Sequence, residues 1–158
     1  MILAIALIIA ANPVLDLGKF YHNQAANISQ TPCIWPAKGW ITSDFGVRID
    51  PYTKTKGFHP GIDISGPDKN VIATADGAVV FAGNEGAYGN VLIIDHINGI
   101  QTRYAHLARI LVKTKTKVKQ GQNVAIIGTT GKSTGPHLHY EVLIHGLVVN
   151  PMIFILND

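Results

Sequence analysis

Gly135-Pro136-His137-Leu138-His139-Tyr140-Glu141 is the stretch from which the fold is read. As a β-strand, it alternates so that His137, His139 and Glu141 share one face, with Leu138, Tyr140 and Val142 on the other. One face is apolar enough to bury, and the opposite face carries two imidazoles and a carboxylate. Two histidines two residues apart on a rigid strand can act as one metal ligand plus one proton-handling group, or as two ligands. A merely solvated polar face has the same pattern, so the chemistry depends on what other segments bring to it.

Working outward, the chain from Pro36 onward is a series of short β-rich runs punctuated by Gly, Pro and Asn. They are Val71–Thr74, Ala78–Phe81, Val91–His96, Thr102–Leu107, Val124–Gly128 and His137–Ile144. Asn98-Gly99 lies between two of them and is a type I′ hairpin signal. No helical period of ten or more residues appears between Pro36 and Pro151. Many short strands with closely spaced turn signals predict an all-β sandwich or barrel of antiparallel sheets. No internal repeat suggests a solenoid or propeller.

The chain has 158 residues, one domain's worth, which can bury a core without disulfide staples. Its single cysteine, Cys33, excludes an intramolecular disulfide and a Cys-based zinc site. The formal charge is +3, and much of it comes from Lys113, Lys115, Lys117 and Lys119, which alternate with Thr114, Thr116 and Val118. That alternation reads as a solvated strand face or a protected sheet edge. No aromatic residues are interleaved with these lysines and no recognition motif is present, which argues against nucleic acid. A weak attraction to an anionic polymer fits the charge.

The N-terminal part differs in texture. Met1 to Ala11 is almost wholly apolar, yet too short for a transmembrane helix of about 20 residues. It suits the apolar region of a secretory signal, although no Lys or Arg precedes it. Asn12 to Pro36 is polar and irregular, like a linker or wrapping arm. We therefore expect an N-terminal signal or anchor segment with an arm over 1–34 and a folded domain over 35–158. Export to the periplasm, envelope or exterior follows, with any membrane contact confined to that segment.

Two further clusters can supply chemistry. In Phe58-His59-Pro60-Gly61-Ile62-Asp63, the proline and glycine oppose a helix, while the even separation of His59 and Asp63 puts both on one side of an extended chain. A histidine and a carboxylate facing the same way make half of a metal site. Tyr104-Ala105-His106-Leu107 ends a strand run with a further histidine. Gly128-Thr129-Thr130-Gly131-Lys132-Ser133 imitates a phosphate loop, but the required first glycine is Ile126. Its glycines read as the turn that launches the His137 strand. Val118-Lys119-Gln120-Gly121-Gln122 resembles a lipoyl-carrier turn only superficially, and a carrier would leave the histidines unexplained.

Taken together, these segments resemble the M23 peptidases, the lysostaphin-like or LytM-type zinc metallopeptidases. The resemblance runs from about Trp35 to Pro151 and is carried by His59-x-x-x-Asp63, Tyr104-Ala105-His106-Leu107 and the Gly135–Glu141 stretch. Ser43-Asp44-Phe45-Gly46-x-Arg48, Ala75-Asp76-Gly77, Gly89-Asn90-Val91, Ile94-Asp95-His96 and Thr130-Gly131-x-Ser133-Thr134-Gly135 add to it. The resemblance implies a lysostaphin-type sandwich with an open groove and one zinc ion held by His59, Asp63 and His139. Three protein ligands leave a fourth position for water, the arrangement of a catalytic site.

By the same resemblance, His106 and His137 stand beside the metal as catalytic residues. One takes a proton from the attacking water, and the other stabilises the oxyanion or protonates the leaving amine. Glu141 is expected either to orient an imidazole from outside the ligand set or to pair with a charge on a neighbouring strand. His96 is expected to be a hydrogen-bonded structural histidine, His145 a solvated turn residue, and Asp44, Arg48 and Asp76 to hold turns and ion pairs. The implied activity is endopeptidase cleavage of peptide bonds in the stems or cross-links of peptidoglycan, an anionic wall polymer, by a monomer. The alternative is a non-catalytic relative that binds and activates other wall hydrolases, as family members that have lost their ligands do.

Overall fold

A computed structural model describes residues 28–155, and the expectations for the apolar leader and the rest of 1–27 lie outside that span. Thirteen strands and short 3-10 turns fill it, with no α-helix among the described residues. An antiparallel sheet of eight strands dominates. Its path is β1 (Trp40–Ser43), β4 (Ile62–Ser65), β12 (Leu138–Ile144), β8 (Ile100–Ala105), β7 (Asn90–Asp95), β6 (Gly77–Asn84) and β10 (Lys117–Val118). β13 (Leu147–Val149) extends the β12 edge beyond the point where β4 leaves it. β5 (Asn70–Ile72), β11 (Asn123–Ile127) and β9 (Leu107–Ile110) form a second sheet, and β2 (Gly46–Ile49) pairs with β3 (Lys56–His59) as a separate ribbon.

The two larger sheets share one apolar core, as in a sandwich. Ile62, Ile64, Leu92, Ile94, Tyr104, Leu138, Tyr140 and Val142 face it from the large sheet, and Val71, Leu107, Val124, Ala125 and Ile127 from the small one. Within β12 the alternation is as expected: Leu138, Tyr140 and Val142 enter the core, which leaves His139 and Glu141 on the opposite face. All seven residues of β12 are nevertheless buried. The polar face is therefore covered rather than solvated, and every group on it needs a partner.

Asn98-Gly99 makes the expected turn. Both residues have positive φ (58° and 70°), and Ile100 N–H closes the turn onto the Ile97 carbonyl between β7 and β8. The lysine run ends in β10, the outermost strand of the large sheet, consistent with a protected edge. The run read as continuous from Thr102 to Leu107 is instead broken at His106, whose φ is 58°. Its N–H bonds the Tyr88 carbonyl (2.9 Å), so the chain leaves the β8 ladder there and restarts as β9 in the other sheet. Strands β1 to β4, which present the site, were not among the runs read from sequence.

The start of the described chain packs against the domain. Ser29 accepts from the Asp76 N–H (2.6 Å), Pro36 accepts from the Ile72 N–H (2.9 Å), and buried Cys33 accepts from Gln120 Nε2 (3.4 Å). His96 donates from Nδ1 to the Asp76 carbonyl (2.8 Å), and its Nε2 lies 2.8 Å from Thr102 Oγ1. It is the structural histidine expected, and His145 sits exposed at the β12–β13 turn. None of the described helices is long and apolar enough to cross a membrane.

Candidate metal centre

Strand register assembles the polar face. Asp63 on β4 is the direct cross-strand partner of His139 on β12, and Glu141 is that of Arg103 on β8. His59 arrives at the end of β3, where the β2–β3 ribbon folds over this face. Gly61 makes the approach possible: a Cβ there would lie 2.3 Å from the Tyr140 carbonyl oxygen, a backbone atom that cannot step aside. Residues of low sequence proximity therefore meet because two ladders and one tight crossing place them together.

His59 Nε2, Asp63 Oδ1 and His139 Nδ1 form a triangle with edges of 3.1, 3.0 and 2.9 Å, and all three residues are buried. Proton bookkeeping explains the triangle. His59 Nδ1 lies 2.7 Å from the Asp44 carbonyl, which can only accept, so that nitrogen carries the hydrogen and Nε2 presents a lone pair. His139 Nε2 lies 3.0 Å from Glu141 Oε1, so it donates there and Nδ1 presents a lone pair. With neutral imidazoles, three acceptors converge without a hydrogen among them. Such a cluster could hold a cation, and two imidazoles with one carboxylate is a donor set suited to zinc.

The ionisation states agree. Burial pushes the Asp63 carboxyl up, but the adjacent His139 and His59 imidazoles outweigh it and hold the group well below the usual carboxylate range. Burial likewise pushes His139 down, yet its contacts with Asp63 and Glu141 raise it above the ordinary imidazole value.

His106 and His137 stand next to the triangle. Their ring centroids are 4.8 Å apart, and His106 lies 5.9 Å from His139. His106 Nδ1 donates to the Thr130 carbonyl (2.8 Å), and His137 Nδ1 donates to the Gly135 carbonyl (2.8 Å). Both rings therefore carry their hydrogen on Nδ1 and keep Nε2 available, with His137 Nε2 3.7 Å from Asp63 Oδ1. Burial, the main influence, pushes His106 below the usual imidazole value, which keeps it neutral near pH 7. Its left-handed backbone, held by Tyr88 and Thr130, is local strain of about 1 kcal/mol concentrated at the site.

Glu141 contacts both an imidazole and a charged group on a neighbouring strand. It accepts from His139 on its own strand, from Arg103 Nη1 (3.0 Å) on the neighbouring strand, and from the Tyr88 hydroxyl (2.8 Å). Burial raises its carboxyl, but the His139 hydrogen bond leads a set of contacts that holds it ionised. Burial beside this carboxylate pushes the Tyr88 hydroxyl up to about 12, so Tyr88 remains a donor. Arg103 also lies over the Tyr88 ring, 5.0 Å from its centroid.

Sequence reading missed Tyr88, Arg103 and the Thr130 carbonyl. Arg103 had a signal, since it alternates with core-facing Tyr104, but Tyr88 lies in a Gly-flanked loop with none. Arg48 was expected to hold an ion pair, and its partner is Asp63 Oδ2 at 3.5 Å. Asp44 contributes its carbonyl rather than its carboxylate.

These groups line a cleft of about 190 Å³ that includes His59, Asp63, Tyr88, His106, His137 and His139. A larger cavity of about 660 Å³, walled by Trp35, Lys38, Asp68 and Asn123, contains no histidine and is not where the ligating groups converge. Comparison with known proteins decides the family, because the model of peptidase family M23 matches residues 57–151. The chain belongs to that family.

Among M23 relatives, the DD-carboxypeptidase/endopeptidase Mpg of Neisseria meningitidis is 44% identical over 113 residues, covering 71% of this chain and 26% of Mpg. The murein hydrolase activator NlpD of Escherichia coli is 40% identical over 123 residues, covering 77% of this chain and 30% of NlpD. A crystal structure of a zinc-containing peptidase from Vibrio cholerae superposes with a TM-score of 0.70 at 39% identity, covering 84% of this chain and 40% of that one. The chain thus spans between a quarter and a third of the curated relatives described here. The M23 sandwich expected from the motifs is the one observed, and its relatives include both peptidases and activators.

Proposed function

We propose that this M23 chain is a zinc-dependent endopeptidase that hydrolyses peptide bonds in the stems or cross-links of bacterial peptidoglycan. The observation that carries the reading is the buried triangle of three lone pairs at His59, Asp63 and His139, with two further histidines beside it. In this reading those three residues hold one zinc ion, which when bound supplies Lewis acidity to an amide carbonyl and acidifies water. Glu141 locks the His139 tautomer by accepting its Nε2 hydrogen, and Arg103 and Tyr88 keep Glu141 in place and ionised.

His106 and His137 face the cleft with unprotonated Nε2 atoms. One would accept the proton of the attacking water and pass it to the leaving amine, while the other, after taking up a proton from solvent on Nε2, would donate to the developing oxyanion. Thr130 and Gly135 carbonyls fix both rings in the tautomer this requires. The sheet beneath the site keeps these groups out of bulk water, which strengthens each interaction.

The wall polymer enters from the relatives: Mpg is a DD-carboxypeptidase/endopeptidase, and NlpD is a murein hydrolase activator. A location in the cell envelope follows from the same relatives. The activator reading is favoured by the 40% identity to NlpD, and it is opposed by a filled ligand set and both auxiliary histidines in this chain. Dye release from labelled, purified walls separates the two. The peptidase reading expects release by the zinc-loaded protein alone, its loss with chelator and its return on adding zinc. Release only when a second hydrolase is present would establish the activator instead.

A further inference from the structure

Beyond the cleft, the groove continues into a second cavity of about 320 Å³ on the β1 side. Arg48, Pro51, Asp63, Thr134 and His137 line both spaces, so the second cavity opens directly beside the reacting position. Its remaining walls include Ser43, Ser65 and Pro136, and Asp63 is the only carboxylate in its lining. Its Oδ1 faces the two histidines, and its Oδ2 lies against Arg48.

Arg48 divides the two cavities. Its Nη1 donates to Ser43 Oγ (2.6 Å) and lies 3.5 Å from Asp63 Oδ2, but Nη2 and Nε have no hydrogen-bond partner among the described residues. Ser43 Oγ accepts from Arg48 and retains its own hydrogen, while the Thr134 hydroxyl bonds no described residue. Ser65 Oγ donates to the Pro136 carbonyl (3.3 Å), but the two outer Arg48 nitrogens and the Thr134 hydroxyl have no acceptor among the described residues of this cavity. Charge points the same way. Asp63 pairs with Arg48, Glu141 with Arg103 and Asp50 with Lys132, so a divalent cation in the cluster leaves the groove net positive.

We propose that this flanking cavity is a carboxylate subsite, in which the free edge of the Arg48 guanidinium, with the Ser43 and Thr134 hydroxyls, binds a carboxylate carried by the peptide beside the bond to be cut. Arg suits such a role because its planar fork meets both carboxylate oxygens. The chain would then select stem peptides by an unblocked carboxylate rather than by side-chain shape. The proposal deepens the peptidase reading and rests on it for the identity of the ligand.

The test uses a fluorescein-labelled peptidoglycan stem pentapeptide in three forms: free acid, terminal carboxylate amidated, and all carboxylates amidated. Binding to the zinc-loaded protein is read by fluorescence anisotropy, and cleavage is followed in parallel. We expect the free acid to bind at least about tenfold more tightly than the fully amidated form, as a charge-assisted hydrogen bond provides. The singly amidated form tells which carboxylate is read. Arg48→Gln should abolish the discrimination, mainly through KM where cleavage is measured, and Arg48→Lys should restore part of it. Thr134→Val, which leaves Asp63 untouched, should reduce it by a smaller factor.

Zinc content is measured for each variant. If Arg48→Gln loses zinc, the wild-type comparison and Thr134→Val decide. Equal binding of acid and amide forms by the wild-type protein overturns the proposal, as does full discrimination by a folded, zinc-loaded Arg48→Gln. Failure of the peptidase reading looks different: discriminating binding without cleavage.

Discussion

The two faces of β12 carry two buried polar groupings that solve the same problem in opposite ways. On the core face, Tyr140 and Tyr104 hydroxyls meet Thr74 Oγ1 (2.9 and 3.1 Å), the Thr74 N–H reaches Tyr104 Oη (3.0 Å), and Thr102 joins Tyr104 to His96. Each hydroxyl can donate and accept, so this network satisfies itself and needs nothing from outside. On the groove face, His59, Asp63 and His139 direct three acceptors at one point, and in those tautomers no described residue donates to them there. Buried polar groups of the first kind hold a fold together. Those of the second kind define a binding site, because the missing partner has to be supplied.

The largest effect should come from breaking the groove-face set. Asp63→Ala should lower hydrolysis by roughly three orders of magnitude or more, the size of losing several kcal/mol of Lewis-acid stabilisation. The matched change on the core face, Tyr140→Phe, should leave turnover and zinc content within about twofold, a difference well under 1 kcal/mol. If both variants lost activity equally, the division between the faces would fail.

Next in size is the crossing that brings the ribbon to the sheet. Gly61→Ala forces a Cβ to within 2.3 Å of the Tyr140 carbonyl, and the backbone must shift to relieve it. A loss of about 2–3 kcal/mol is expected by thermal or denaturant unfolding, together with weakened zinc binding as His59 and Asp63 move apart. Glu141→Gln should cost about 10–100-fold in zinc affinity in a chelator competition, because the His139 tautomer loses its anionic acceptor. Tyr140→Phe should cost only about 1 kcal/mol of stability, the usual worth of one buried hydrogen bond.

The smallest effect is a pH dependence located on the core face. Burial pushes His96 below the usual imidazole value, so the unfolded chain binds its proton more readily than the folded one. Its contribution to stability is therefore complete above the unfolded imidazole value, about 6.5, and declines as pH falls from there toward the folded value. Unfolding midpoints should drop between pH 7 and pH 5, and His96→Gln should flatten that part of the drop. An unchanged slope in the variant would place the acid sensitivity elsewhere.

How much of this was legible in the chain follows from which atoms do the work. The two-faced nature of β12 could be read directly, since Leu138, Tyr140 and Val142 alternate with His139 and Glu141. So could the shared side of His59 and Asp63, given the Pro60-Gly61 break in any helix. The Asp63–His139 and Arg103–Glu141 partnerships could not, because they depend on strand register between segments that pattern alone leaves unaligned. Nor could the supports of His106 and His59, which are the carbonyls of Thr130 and Asp44 and leave no trace in residue identity. The positive φ of His106 follows from those supports and not from any preference of histidine itself.

The central proposal is that the three converging lone pairs hold a zinc ion. Its most direct test is metal analysis of the purified chain and five single variants by inductively coupled plasma mass spectrometry after exposure to zinc and extensive dialysis. The account predicts one tightly held zinc per wild-type chain, retained in His106→Ala and His137→Ala and lost in His59→Ala, Asp63→Ala and His139→Ala. A wild-type chain that holds no zinc, or a zinc that stays bound when Asp63 or His139 is removed, would contradict it.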